Sequence, residues 1–459
     1  MKGYYRKNVK RAAWVVVVFI ISFGSLLFDA ADPPSGEAVS LFEGTSDDIL
    51  IEARILEDAQ DAADTRLSLI QEAESEIQIV YHTFHEGDYM ESFFRELFRA
   101  ADRGVEVTLV VDGMLHQMNG SMRGLPALIG RHERMTLHVY EPPEASSPMR
   151  WNNRLHDKLM IVDERYVMNG GRNIGDKYMT ADDAVPVRDR DVLVRATGDA
   201  AGEAPFIKEA SAYVDTLLDG ERTFAYEGES SVYVNRQAER LKERLDKESE
   251  GDGVKRGDPL SEWIPVEEVA FVANPLEGIQ REPVVWATIA GLLNEARSSI
   301  VVQTPYLIPN EAMMAKIDIH HVSDKEVSVV TNSVYSSPNY PAFSAYLYDR
   351  DTWLEADVEL NEYRGTGSIH AKSVLIDDEV SVIGSFNADP RSAYLNTESV
   401  LVIKGEAFAD EHRRHLESLK DESLMAPEGD DWLDAETPVM KKRIMERLSP
   451  WSNRFKHLL

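Results

Sequence analysis

The sequence predicts an α/β protein made of two related halves in one chain, preceded by a single N-terminal transmembrane helix. Three observations carry this reading. A charge-free apolar run lies near the N-terminus, a helix–strand–helix–strand order occurs twice, and one histidine–lysine–aspartate motif appears in each half. With 459 residues, 43% hydrophobic and 28% charged, the chain has a globular balance and length enough for two domains.

Residues 1–11 hold Lys2, Arg6, Lys7, Lys10 and Arg11 and no acid, a basic tail. Ala12 to Phe28 follows without a charge, at the short end of what spans a hydrocarbon core of about 30 Å. Bases before it and Asp29 and Asp32 after it predict a cell-membrane anchor with a cytoplasmic N-terminus and an extracytoplasmic body. The rival is a cleaved signal peptide, but Phe28, Asp29 and Ala30 ahead of Ala31 offer no small-x-small site. Pro33 and Pro34 then break the helix.

The first half is placed at 47–220. TRLSLIQEAES reads as an amphipathic helix and EIQIVYHTF as the strand after it. A second helix, Tyr89–Asp102, and a second strand, VEVTLVVDG, complete the unit. The second half, 260–425, repeats the order with WATIAGLLNEARS, SIVVQTPYLIP and EVSVVTNS. Two such units fit α/β sheets with helices on their faces. Between them, 221–259 is charge-dense and reads as a solvated helix and linker. A basic amphipathic segment, 438–459, closes the chain; Trp451 and Phe455 among its lysines and arginines fit contact with anionic lipid, or a helix docked on the protein.

Composition narrows the chemistry. No cysteine is present, which excludes disulfides, thiolate catalysis and zinc–cysteine sites. A net charge of −31 disfavours nucleic acid as a partner.

The two motifs have identical internal spacing. His156-Asp157-Lys158 is followed by four residues, Asp163, six residues and Gly170-Gly171-Arg172-Asn173. His370-Ala371-Lys372 is followed by four residues, Asp377, six residues and Gly384-Ser385-Phe386-Asn387. On a strand, histidine and lysine two apart project to one face. A pseudo-two-fold would bring two histidines, two lysines and two asparagines to one cleft. Lys158, Lys372, Asn173 and Asn387 then offer donors to the oxygens of a phosphodiester. One histidine attacks phosphorus while the other protonates the departing alcohol, and the roles reverse in a second step. Asp163 and Asp377 are assigned to the turn and the lysine. A carboxylate must orient each imidazole, and Asp191 in RDRDVLV and Glu398 in NTESVLVI are the candidates.

At these residues the chain resembles the phospholipase D superfamily, over roughly residues 47–420. GGRNIGDKY and GSFNADPRSAYLNTE narrow the likeness to bacterial cardiolipin synthases, most of all the C-type branch. The resemblance implies two fused α-β-α sandwich halves, no metal or other cofactor, and phosphatidyl transfer through a phosphohistidine. It implies His156 as nucleophile and His370 as acid and base. The substrates it implies are phosphatidylglycerol and a second lipid hydroxyl; water as acceptor, releasing phosphatidic acid, is the alternative, and a phosphodiesterase nuclease or a non-catalytic membrane scaffold are more distant ones. Two departures stand out. Asp157 replaces a customary asparagine, and alternation turns it away from the phosphate; the single N-terminal span replaces paired ones.

Tyr306, Tyr335 and Tyr340 are expected near the cleft mouth. His82, His85, His412 and His415 lack metal-ligand spacing and are assigned core or surface roles.

Overall fold

The computed structural model describes residues 34–42, 49–118, 120–180, 186–198, 201–226, 231–247, 260–356, 358–426 and 439–458. The expected tail and membrane anchor, residues 1–28, lie outside these. Among the described residues no helix is long and apolar enough to cross a membrane.

Each half is built on one mixed sheet. The first runs, edge to edge, through Thr223–Ala225, Met135–Tyr140, Glu106–Asp112, Glu76–Tyr81, Lys158–Val162, Tyr166–Gly170, Asp191–Thr197, Leu50–Leu56 and Ile264–Val266. The second runs through Glu268–Ala273, Ser399–Lys404, Val380–Gly384, Ser373–Ile376, Ser299–Gln303, Glu326–Asn332, Glu359–Tyr363 and Ser423–Met425. The motif strands Lys158–Val162 and Ser373–Ile376 sit in the middle, each antiparallel to both neighbours. Their residues are buried throughout, which explains continuous apolar runs rather than alternation. One face of each sheet meets the other half: Leu159, Ile161, Val167 and Val194 share a core with Phe271, Ile383, Leu401 and Ile403. Helices cover the outer faces, so each half is a layered sandwich.

Two expected boundaries change. The charged stretch 221–259 is no free linker where it is described. Thr223–Ala225 adds an edge strand to the first sheet, and the helix Val232–Leu245 buries Val234, Ala238, Leu241 and Leu245 in the first-half core. The polar majority of its residues hid a narrow apolar stripe. Ile264–Val266, assigned to the second half, pairs with Leu50–Leu56 and belongs to the first sheet. The C-terminal helix Val439–Arg454 docks on Tyr340–Glu355, with Met445 buried. Lys441 Nζ donates to the carbonyls of Tyr335 and Ser337 at 3.0 and 2.9 Å, while Met440 and Trp451 stay exposed.

Asp163 and Asp377 end the motif strands, with φ of 54° and 53°. Asp163 accepts from the backbone N–H groups of Glu74, Ser75 and Glu76 at 2.7–3.0 Å, and Asp377 from those of Arg297, Ser298 and Ser299 at 2.7–3.1 Å. Each aspartate thus clamps the turn entering the neighbouring strand; neither hydrogen-bonds the motif lysine. Burial opposes the charge on Asp377, but those donors outweigh it and hold the carboxyl down at about 2. A depressed folded value contributes stability above the unfolded value of about 3.9 and loses it as pH falls through the folded one. Asp377→Asn should therefore lower the melting temperature at neutral pH, with the difference from wild type fading between pH about 4 and about 2. A difference independent of pH in thermal melts would rule the clamp out.

Candidate active site

Two short parallel ladders join the halves where the chemistry sits. Arg154–Leu155 pairs with Asn396–Thr397, and Ser368–Ile369 pairs with Val187–Arg188. Each ladder runs one residue short of a motif histidine on one strand and of a carboxylate on the other. His156 therefore meets Glu398, with Nδ1 at 2.9 and 3.0 Å from the two carboxylate oxygens. His370 meets Asp189, Nδ1 to Oδ2 at 2.6 Å. Both pairs cross from one half to the other. The Nδ1–H donates to the carboxylate, which leaves Nε2 of each ring as the free, basic nitrogen.

Glu398 comes out as a histidine partner, but Asp191 does not. Asp191 accepts from Arg66 Nη2 at 2.7 Å and Arg172 Nη1 at 3.1 Å, all three side chains at most 1% exposed. Matching the strings DVLV and SVLV would set Asp191 against Ser399 and Arg190 against Glu398, yet register does not follow them. Gly170 pairs with Asp191 and Gly384 with Val400, so Asp189 is the counterpart of Glu398. Gly171 leaves room for it, since a Cβ there would lie 2.0 Å from Asp189 Oδ1. Ser385, the matching residue of the second half, instead donates its hydroxyl to Glu398 Oε2 at 2.5 Å.

Lys158 and Lys372 are buried, and each ammonium donates to the carbonyl of its own motif histidine. Asn173 and Asn387 are also buried; Asn173 contacts the Tyr178 hydroxyl at 3.2 Å and Asn387 the Ser392 hydroxyl at 3.3 Å. The imidazoles keep a narrow opening, with 15% and 19% of their side chains accessible. Tyr178 stands edge-on to His370, ring centroids 5.6 Å apart. Burial raises the Tyr178 phenol, with Asp189 and Tyr306 adding to the rise, whereas Tyr335 and Tyr340 are exposed. Asp157 points away, accepting from Tyr213 and Thr397 hydroxyls in the interior.

His82, assigned a core role, stands 5.0 Å from the His156 ring. Its Nδ1–H donates to the Leu155 carbonyl at 2.5 Å. The His85 ring lies 5.7 Å from that of Tyr178, and burial, reinforced by Lys177, lowers it to about 4. Neither has a counterpart in the second motif, so the duplication gave no signal for them. His412 is a core residue bridging Ser373 and Ser381 hydroxyls at 3.0 Å each, and His415 pairs with Glu411.

The electrostatics are those of an anion site. Burial, reinforced by Lys158 and His82, holds His156 well below the usual imidazole range. Burial and Lys372 bring His370 down to about 4. Burial lowers Lys158 to about 7, with Lys372 adding to the fall, and lowers Lys372 to about 8. Burial pushes Glu398 up to about 8, whereas Asp189 is held below the carboxylate range, its desolvation outweighed by His370 and Lys372. The clustered cations oppose one another, and an entering anion would relieve them. Such a cleft can hold a diester oxygen between two ammonium groups and present an unprotonated Nε2 to phosphorus.

The profile of the family described as "Cardiolipin synthase, PLD-like domain" matches residues 67–197 and 289–420, one stretch in each half. The chain belongs to the phospholipase D superfamily, in its cardiolipin synthase-like branch. Curated relatives agree. An uncharacterised Helicobacter pylori protein is 27% identical over 418 residues, covering 80% of this chain and 78% of the relative. Cardiolipin synthase C of Escherichia coli is 25% identical over 388 residues, covering 77% and 81%. A Staphylococcus aureus cardiolipin synthase is 25% identical over 351 residues, covering 75% and 62%. A solved phosphatidylserine synthase from Haemophilus influenzae shares the fold, with TM-score 0.64 at 13% identity over 89% of this chain and 97% of that one. The chain is a phospholipase D-type phosphatidyltransferase/phosphodiesterase that modifies phospholipids.

Substitution separates the two aspartates. Asp189→Asn should cut kcat by about a hundredfold or more with the fold intact, because His370 loses its anion. Asp191→Asn should cost about 3–5 kcal/mol in urea unfolding, by stranding buried arginines, and leave kcat per folded molecule nearly unchanged. The opposite pattern would return the orienting role to Asp191.

Proposed function

We propose that the enzyme transfers the phosphatidyl group of phosphatidylglycerol to the hydroxyl of a second lipid, as a membrane-anchored cardiolipin synthase does. The observation that carries this reading is the pair of imidazoles, one per half, each backed by a carboxylate from the opposite half. In the first step His370 must enter protonated on Nε2, a state favoured by Asp189 behind it and by the anionic diester in front; His156 Nε2 then forms a bond to phosphorus, the bond to the headgroup glycerol oxygen breaks, and His370 gives that oxygen its Nε2 proton. In the second, His370 takes the proton of the acceptor hydroxyl, the acceptor oxygen bonds to phosphorus, and the nitrogen–phosphorus bond breaks. Lys158 and Lys372 hold the non-bridging oxygens, with Asn173 and Asn387 beside them. Residues 12–28 would keep the body at the outer face of the cell membrane, and the acidic surface disfavours a nucleic acid as substrate.

Purified enzyme given phosphatidylglycerol alone, in EDTA, should release cardiolipin and glycerol. Phosphatidic acid and glycerol as the only products would make it a hydrolase with the same residues. His156→Ala and His370→Ala should each lose at least about a thousandfold in turnover, and substantial activity in either would defeat the two-histidine scheme. Because lysines lowered to about 7 and about 8 lose their charge above those values, kcat/KM should fall on the alkaline side between pH about 7 and 9. A profile flat to pH about 10 would remove the lysines from phosphate binding.

A further inference from the structure

The two halves differ at three matched positions in their outer layers. In the first, Arg66, Asp191 and Arg172 form a fully buried ionic triad. By strand register Asp191 corresponds to Val400, and by motif spacing Arg172 corresponds to Phe386. Arg66 lies seven residues before the alanine that caps its helix, as Ile289 does in the second half. All three replacements are apolar, and all three line one hollow of about 750 Å³, inside the roughly 300–1,000 Å³ of typical ligand sites.

A second difference keeps the hollow open. Between Glu76–Tyr81 and Glu106–Asp112 the first half places a helix of 15 residues, Asp88–Asp102, whose Phe93 and Phe94 fill the layer. Between Ser299–Gln303 and Glu326–Asn332 the second half has only two single turns of α-helix, Glu311–Met314 and Ile319–Val322. The sheet face beneath presents Ile300, Val302 and Val382 to the hollow, with Trp286 stacked on Phe386 at 6.1 Å.

The hollow reaches the site at Lys372, which lines it together with Ser373 and Gly384. Its other lining residues include Met314, Ile317 and Ile319, the last 54% exposed. Residues 34–42 lead down from the expected anchor beside that edge: Lys316 Nζ donates to the Gly36 carbonyl at 2.9 Å, and Leu41 and Phe42 pack against the helix layer. A bilayer-tethered N-terminus would therefore bring the apolar rim toward lipid.

We propose that this hollow takes one acyl chain of the phospholipid whose phosphodiester lies between His156 and His370. The inference rests on the phosphatidyl-transfer reading and adds that the second half, not the first, selects for a long hydrocarbon chain. Each methylene withdrawn from water favours binding roughly fourfold.

The test fills the hollow in the full chain with Val302→Phe and, at the rim, Ile317→Trp. In mixed micelles, kcat/KM for dipalmitoyl phosphatidylglycerol should fall at least about tenfold more than for dihexanoyl phosphatidylglycerol. Binding of a fluorescent parinaroyl phosphatidylglycerol, followed separately, should weaken to the same degree. Equal losses on both substrates, or none on the long one, overturn the acyl site. So does a wild-type protein that fails to bind the probe, as it would if its own residues 12–28 filled the space. Wild type that binds the probe, loses it on filling, yet turns over neither lipid would uphold the acyl site and sink the transfer reading.

Discussion

The active site depends on a strand register that crosses between the halves. Two ladders of two residues each set His156 against Glu398 and His370 against Asp189. A slip of one residue would turn each carboxylate to the other face of its strand, because side chains alternate with period two. Neither half holds a complete histidine–carboxylate pair, so neither has a fully oriented base alone. The shared core of Ile161, Val194, Leu401 and Ile403 supplies the apolar burial that holds the halves in this register.

Enclosure and charge work together around that register. Two lysines and two histidines sit in a pocket that leaves the imidazoles less than a fifth accessible. Desolvation disfavours every cation there, and the cations disfavour one another. Glu398 and Asp189 offset only part of this. A phosphodiester entering this pocket would meet two buried ammonium groups and favour their charged forms. Preorganised donors act more strongly in such a site than in water, since they need little reorganisation as charge develops on phosphorus.

The duplication has been kept where chemistry needs symmetry and abandoned elsewhere. The clamps of Asp163 and Asp377 are nearly superposable in their partners. Away from the cleft, a buried ionic triad in one half is matched by apolar residues at the equivalent positions of the other, and a helix of four turns gives way to two short turns. A buried ion triad holds shape through directional contacts, whereas valine, isoleucine and phenylalanine impose none and tolerate an open space. His82, placed beside His156 without a partner across the dyad, belongs to the same divergence.

The sequence by itself determined the fold class, the two halves and the four motif residues that converge, because two motifs of identical spacing lead into two matched strands, although His156 and His370 themselves lie just ahead of Lys158–Val162 and Ser373–Ile376. It also determined that an acid must follow each motif, and it named Glu398. It could not separate Asp189 from Asp191, since both lie in one run and only pairing with the other half decides which faces an imidazole. It assigned 221–259 to solvent, because a four-residue apolar stripe is invisible among so many charges until a core is present to receive it. The repeat concealed what is not repeated, His82 and the apolar hollow beside Lys372. Local pattern fixes which way a side chain points along its own strand; what it then meets is settled by contacts between distant residues, such as His156 and Glu398, 242 positions apart.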